Sequence, residues 1–207
     1  MTDRGRNADR ATSYHLFDVG AFQAHELTEA DLPALQDFFV ANPDYFLAVN
    51  GMAPRPDEAR HEFDDRPPPE MPFNEVYVVG FVDKAGRLLA MASVISDLVA
   101  DHVWHIGLFI VATSLHGTGT ATALYAGLEG WLKERGARWI RLGAVAGNTR
   151  AERFWERLGY VEVRRRSGPH LGNRTHTVRV FVKAVRNSDI DEYLRVVARD
   201  RPDSQLP

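Results

Sequence analysis

Apolar positions along the chain keep helical spacing early on and change period at Val76, where β-rich runs begin. In TEADLPALQDFFVAN, Thr28 and Asp31 stand in capping-box spacing, and Leu32, Leu35, Phe38 and Phe39 share one helical face, which predicts a first helix. PDYFLAVNG and PDEARHEFDD predict short helical pieces that form a lid or wall, and RPPPEMP is extended or turned because proline cannot continue a helix. VYVVGFVD and LLAMASVIS, separated by KAG, predict a β-hairpin, and HVWHIGLFIVA a third, more buried strand. Ala121, Leu124, Tyr125, Leu128 and Leu132 then recur at helical spacing until Gly136, a natural stop. WIRLGAV predicts the next strand, and TRAERFWERLG a helix opened by a Thr149/Glu152 box and closed by Gly159. YVEVRRR and HTVRVFVKAV predict two further strands, and SDIDEYLRVVARD, residues 188–200, a C-terminal helix capped by Ser188.

Together these elements predict a single α/β domain over residues 21–207, with a central mixed sheet of about six or seven strands flanked by helices. The unit running from HVWHIGLFIV through a helix to WIRLGAV is long enough for a right-handed crossover, so these two strands are expected to be parallel neighbours. Residues 1–20 carry few apolar positions and no period, and are expected to form a weakly ordered lead.

Composition narrows the function classes. There is no run of about 18 apolar residues, which excludes a membrane span. The opening MTDRGRNADRATSYHLFDVG is polar where a secretory signal needs an apolar stretch, so a cytoplasmic location is expected. A net charge of −3 gives no support for nucleic acid as a partner. The chain of 207 residues has no cysteine, which removes disulfides, thiolate metal ligands and any covalent cysteine relay.

LHGTGTATAL, residues 115–124, joins a strand to a helix through Gly117 and Gly119. Glycines there let the backbone turn sharply and leave successive N–H groups facing one concavity, and a helix start behind them adds its own unpaired N–H groups and dipole. Such a concavity suits an anion. The loop fits two common phosphate motifs badly: it has no Gly-Lys-Ser/Thr ending, and Thr122 stands where the dinucleotide fingerprint has its third glycine.

IGLFIVATSLHGTGTATALYAGLEGWLKERGARWIRLGAVAGNTRAERFWERLGYVEV resembles the core of the GNAT superfamily, the acetyl-CoA-dependent N-acyltransferases. That family carries an Arg/Gln-x-x-Gly-x-Gly/Ala loop before a long helix and, after the next strand, Asn-x-x-Ala-x-x-Phe-Tyr-x-x-x-Gly-Phe. Here the loop is Leu115, His116, Gly117, Thr118, Gly119, Thr120, Ala121, and the second motif is Asn148, Ala151, Phe154, Trp155, Gly159, Tyr160. The resemblance implies that the loop N–H groups hold the coenzyme A pyrophosphate and that Asn148 hydrogen-bonds pantetheine. It also implies that the strand ending near Val111 splays from the one beginning near Trp139, so that pantetheine lies between them. His116 departs from the usual Arg or Gln at a position that works through its backbone. Trp155 departs more seriously, since the tyrosine it replaces is the family's proposed general acid, and indole cannot donate a proton at neutral pH.

Acyl transfer to an amine needs the ammonium deprotonated, the thioester carbonyl polarised and the leaving thiolate accommodated. A backbone N–H at a strand bulge near Phe109, Ile110 and Val111 suits the second need. His105 is the first candidate base, because its ordinary pKa of about 6.5 suits the task and a comparable strand position in family arylalkylamine transferases carries a catalytic histidine. Asp101 and Glu75 are the other candidate bases, and a histidine packed in the sheet is the competing reading of His105. His102, three positions away, points to the opposite face, which argues against a metal pair. The family places acceptor-binding residues in a segment that here contains Asn42, Tyr45, Phe46 and Asn50, which packing explains equally well. The run Arg164, Arg165, Arg166 reads as a solvated face or as an attractor for an anionic acceptor or partner.

The expected protein is thus an enzyme that acetylates the primary amine of a small molecule by direct attack in a ternary complex, with acetyl-CoA as cosubstrate and no metal. Homodimer formation is compatible with this reading. A non-catalytic acyl-CoA sensor, or a transferase acting on a protein N-terminus or lysine, are its rivals.

Overall fold

The computed structural model describes residues 14–171 and 174–206. Eight strands form one sheet: β1 (Tyr14–Val19), β2 (Phe22–Glu26), β3 (Val76–Val82), β4 (Leu88–Ile95), β5 (Val103–Val111), β6 (Trp139–Val145), β7 (Val161–Leu171) and β8 (Arg174–Ala184), in the order β1-β2-β3-β4-β5-β6-β8-β7. Every neighbouring pair is antiparallel except β5 and β6, which are parallel as expected. The extra edge comes from the supposed lead. Tyr14–Val19 pairs with β2, supplying partners that its own sparse apolar pattern could not announce; residues 1–13 lie outside the described residues.

Among the described residues six α-helices cover the sheet: α1 (Leu32–Ala41), α2 (Asp44–Val49), α3 (Glu58–Asp64), α4 (Thr120–Glu134), α5 (Thr149–Arg157) and α6 (Ile190–Val196). Strand alternation assigns the faces. Val79, Phe81, Ala92 and Val94 pack with Leu124, Leu128 and Trp131 of α4, while Val78 and Met91 pack with Leu35, Phe38 and Phe39 of α1 on the other side. A third cluster seats Tyr193 and Val197 against Trp139, Val180 and Val182. Among the described residues no helix is long and apolar enough to cross a membrane.

Two cap assignments change. Asn148, not Thr149, caps α5, its side-chain oxygen accepting from the Ala151 N–H at 3.3 Å, while Glu152 reaches back to the Gly147 N–H. Asp189, not Ser188, caps α6 by accepting from the Glu192 N–H at 2.6 Å, and Ser188 instead donates to the Arg138 and Val185 carbonyls. The C-terminal helix also ends at Val196, and a short 3-10 turn at Ala198–Asp200 follows.

One irregularity in β5 shapes everything beyond it. Trp104 and Ile106 face the α4 side, yet Leu108 and Ile110 face the α1 side, although a step of two should preserve the face. The register with β4 jumps from Val94↔Ile106 to Ser93↔Leu108, leaving Gly107 as the extra residue of a bulge.

Candidate active site

β5 and β6 are paired only over Val103↔Trp139, Trp104↔Ile140, His105↔Arg141 and Ile106↔Leu142. Beyond the bulge the strands part. Leu108 to Val111 stays with β4, whereas Gly143 to Val145 stays with β8. Two cavities, of about 770 and 600 Å3, open on this gap and share Tyr45, Phe109, Asn148, Ala151 and Trp155.

The smaller cavity contains the glycine loop. Gly117 and Gly119 have φ of 78° and 84°, the left-handed region open to glycine, and both line the cavity with Ile110, Val111, His116, Ala121 and Phe154. Among the described residues, the N–H groups of Gly117, Gly119, Ala121 and Thr122 donate to no protein acceptor. They form a concave set of donors at the start of α4, a 15-residue helix, so loop and dipole act on the same spot. Thr118 and Thr120 do not line the cavity; their hydroxyls bond each other at 2.7 Å, and Thr118 also donates to the Leu115 carbonyl, which fixes the turn. His116 contributes its side chain as well as its backbone, since its Nε2 lies 2.9 Å from the Val111 carbonyl and ties the loop to the end of β5. The exposed Arg150 and Arg157 add positive charge at the rim.

The proposed acceptor residues separate. Asn42 belongs to the loop side: its Oδ1 accepts from Thr113 N–H and its Nδ2 donates to the Phe38 carbonyl, both at 2.8 Å. Phe46 is core, 5.1 Å from the Phe39 ring, and Asn50 lines neither cavity. Tyr45 alone of the four reaches the larger cavity, and it is the only hydroxyl common to both. Val49 joins it there, and His176 and Arg174 of β8 reach across to the Val49 and Ala48 carbonyls, closing that side.

The larger cavity is lined by His105, Gly107, Arg141 and Arg164 to Arg166. His105 has the setting of a hydrogen-bond donor rather than a base. Burial, and next the Arg141 guanidinium, push its pKa down to about 3. Arg141 approaches His105 Nδ1 at 3.3 Å, and because a guanidinium only donates, Nδ1 accepts and the neutral ring carries its proton on Nε2. The bulge also lies at Gly107, ahead of the Phe109 to Val111 stretch in which a polarising N–H was expected. Asp101, Glu75 and His102 line neither cavity. Trp155 is 8% exposed and sits among the rings of Phe109, Phe154, Tyr125 and Tyr160, and the last two join their hydroxyls at 2.9 Å.

Two groups escaped the sequence reading. Arg141 is the lone charge in the apolar run WIRLGAV, a signal that a buried partner waits elsewhere; that partner is Asp200, fully buried, which accepts from Nε and Nη2 at 2.7 and 3.1 Å. Glu62 on α3 carried no signal at all. Burial pushes its carboxyl up to about 7, with the Ser93 hydroxyl opposing and the charges of Asp65 and Glu58 adding to the rise, and its own charge raises the Tyr45 phenol further. Ser93 in turn lies against the Gly107 bulge.

A strand pair that parts beyond a bulge, with a donor-lined glycine loop at one end of the gap, is the arrangement that the GNAT resemblance implied. A model of the GNAT acetyltransferase family matches residues 32–160, more than half of the chain, and the chain belongs to that family. No curated protein matches it in sequence. Solved structures match in fold. A GCN5-related N-acetyltransferase from Kribbella flavida is 24% identical with a TM-score of 0.56, over 80% of this chain and 98% of that one. A spermidine N-acetyltransferase from Vibrio cholerae, in complex with CoA and spermine, is 17% identical at 0.59, over 79% and 95%. A ribosomal-protein-S5-alanine acetyltransferase from Vibrio fischeri is 13% identical at 0.60, over 86% and 99%.

Proposed function

We propose that this chain transfers an acetyl group from acetyl-CoA to the primary amine of a small-molecule acceptor, by direct attack within a ternary complex. The observation that carries the reading is the meeting of two cavities at the β5/β6 gap, one lined by unpaired loop N–H groups and the other closed over by α2 and the β7–β8 hairpin. The loop suits the coenzyme pyrophosphate, and the gap suits the pantetheine arm. Asn148 spends its side-chain oxygen on the α5 cap, which leaves its amide nitrogen for pantetheine. The enclosure favours a small acceptor over a protein chain.

In this reading the ammonium first gives up one proton to solvent, the neutral amine nitrogen then attacks the thioester carbon, the C–S bond breaks, and a second proton travels from the nitrogen to the thiolate. Tyr45 and Glu62 supply that route, with Glu62 behind the cavity wall rather than lining it: the amine proton reaches Glu62 through water, Tyr45 gives its own to the departing sulfur, and Glu62 restores the phenol. Tyr45 thereby fills the role that Trp155 cannot. His105 donates from Nε2–H and holds the acceptor.

Thiol release from acetyl-CoA across a panel of amines tests the assignment, and coenzyme binding without turnover of any of them refutes it. Tyr45→Phe should lower kcat by about 10²-fold or more, with acetyl-CoA affinity within a factor of about two of the parent. Equal turnover by the variant would remove Tyr45 from the chemistry. The pH profile separates the two candidate bases. A carboxyl raised to about 7 is ionised only above that pH, so kcat/KM should climb through about 7, stay so in His105→Gln, and flatten in Glu62→Gln. The same shift has a stability sign: the folded state prefers the protonated acid, so stability from this group is present below the ordinary value of 4.5 and is lost as pH rises through about 7. Glu62→Gln should therefore gain melting temperature relative to the parent at pH 8 but not at pH 4.

A further inference from the structure

The larger cavity has a charge pattern that narrows its ligand. Among the described residues no aspartate or glutamate lines it, while β7 turns Arg164 and Arg166 toward it in alternation. The carboxylates nearby on the hairpin side are committed elsewhere, Glu162 to Arg165 and Arg179, and Glu152 and Glu156 to Arg179. A polyamine would meet no counter-charge here.

The guanidinium groups differ in how far they are neutralised. Arg141 is matched by Asp200. Arg164 donates to the carbonyls of Arg199, Ser204 and Leu206, which satisfies its N–H groups and leaves its charge uncancelled. Arg166 makes neither a hydrogen bond nor an ion pair among the described residues. It is half-buried, and burial followed by the charges of Arg199, Arg141 and Arg164 pushes its pKa down, with Asp200 alone opposing. Glu70 acts on Arg199 from farther off. Packing like charges around a half-buried guanidinium is unfavourable unless an anion joins them.

Accepting that this cavity takes the acceptor, we propose that the acceptor is a small amine bearing an anionic oxyacid group, a carboxylate or a phosphate-type group, and that Arg166 binds that group. The guanidinium fork suits both oxyacids, since each offers two oxygens in one plane to two parallel N–H donors. His105 adds a neutral donor on the same wall. The run that reads in sequence as a solvated face is thus divided by pairing: all three border the cavity, but the Arg165 guanidinium is matched by Glu162, while those of Arg164 and Arg166 meet no carboxylate among the described residues.

The experiment sets amino acids and aminoalkyl phosphonates against their uncharged amides or esters, with saturating acetyl-CoA for thiol release and saturating coenzyme A for thermal shift. At least one acid should exceed its uncharged partner by about 10–100-fold in kcat/KM, carried mainly by KM, as expected for a charge-assisted hydrogen bond. Arg166→Gln should erase that preference, bringing the ratio of acid to uncharged partner to about one, and Arg166→Lys should restore part of it. Inorganic phosphate should inhibit the parent competitively against the acid and inhibit Arg166→Gln far less. The proposal is overturned if uncharged amines match the acids, if no acid in the panel is acetylated or stabilises the protein, if the preference survives Arg166→Gln, or if peptides displace free acids as the better acceptors. Acetyl-CoA binding is titrated separately. Turnover of uncharged amines alone would sink the anionic acceptor and leave the transferase, whereas failure of the coenzyme to bind would remove both.

Discussion

Replacing Gly119 with glutamate should abolish the rise in melting temperature that acetyl-CoA gives the parent protein, and should leave the fold standing. With φ at 84°, the residue sits where an L side chain costs about 1–2 kcal/mol, and no heavy atom lies within 4 Å of a Cβ built there, so strain rather than collision is the penalty. The new carboxylate would stand among the unpaired N–H groups of Gly117, Gly119, Ala121 and Thr122, occupying or repelling the position of a phosphate. A ligand bound only to the folded state adds about 2.7 kcal/mol at a hundred times its Kd, so the lost effect is large enough for a simple melting titration. An undiminished shift in the variant would mean that the loop does not hold the coenzyme. No shift in the parent at millimolar acetyl-CoA would remove coenzyme binding altogether.

Asp200→Ala should cost about 3–5 kcal/mol of stability at neutral pH, because it strands the Arg141 guanidinium, 5% exposed, without a counter-charge. For a domain of this size that corresponds to roughly 6–20 °C in melting temperature. Burial alone would raise the Asp200 carboxyl, but the hydrogen bonds and charge of Arg141, with the Tyr193 hydroxyl, hold it below its ordinary 3.8. Its contribution is therefore complete above about pH 4 and is lost only as pH falls toward the depressed value. Urea denaturation of parent and variant should show the full gap at pH 7 and a narrowing gap below pH 4. A difference of less than about 1 kcal/mol at pH 7 would show that the pair is not what anchors the C-terminal turn to β6.

The glycine-loop half of the candidate site is legible in the sequence because its geometry is written in local rules. Gly117 and Gly119 announce backbone conformations, and the helix behind them announces its direction by apolar spacing; neither needs a distant partner to be read. The larger cavity is assembled from long-range pairings instead. Tyr45 meets Asn148 and Trp155 only because α2 is folded onto the β5/β6 gap, and Arg164 and Arg166 face inward because β7 lies beside β8 with its register shifted between Glu162 and Arg164. The bulge expected near Phe109 to Val111 lies at Gly107 instead, since the apolar residues of HVWHIGLFIV run on through it and only the change of face between Ile106 and Leu108 fixes its place. Tyr14–Val19 carries no strand signal because an edge strand against β2 needs no apolar rhythm to pair. The family position and the ordinary titration range both point to His105 as a base, but that range holds for a solvated ring, and burial followed by the Arg141 guanidinium lowers it here.

The seam of four residue pairs between β5 and β6 gives the sheet a mechanical character of its own. It joins two stiff plates, β1 to β5 on one side and β6 with the β7–β8 hairpin on the other, by a weld shorter than either strand. The strands leaning away from it carry peptide groups with no neighbour across the gap. In the proposed complex a pantetheine arm, with amides of its own, would enter as a borrowed strand and stitch the plates together where the weld stops. Amide exchange along 107–111 and 143–145 would then gauge occupancy, and protection there that does not rise with added acetyl-CoA would refute that placement.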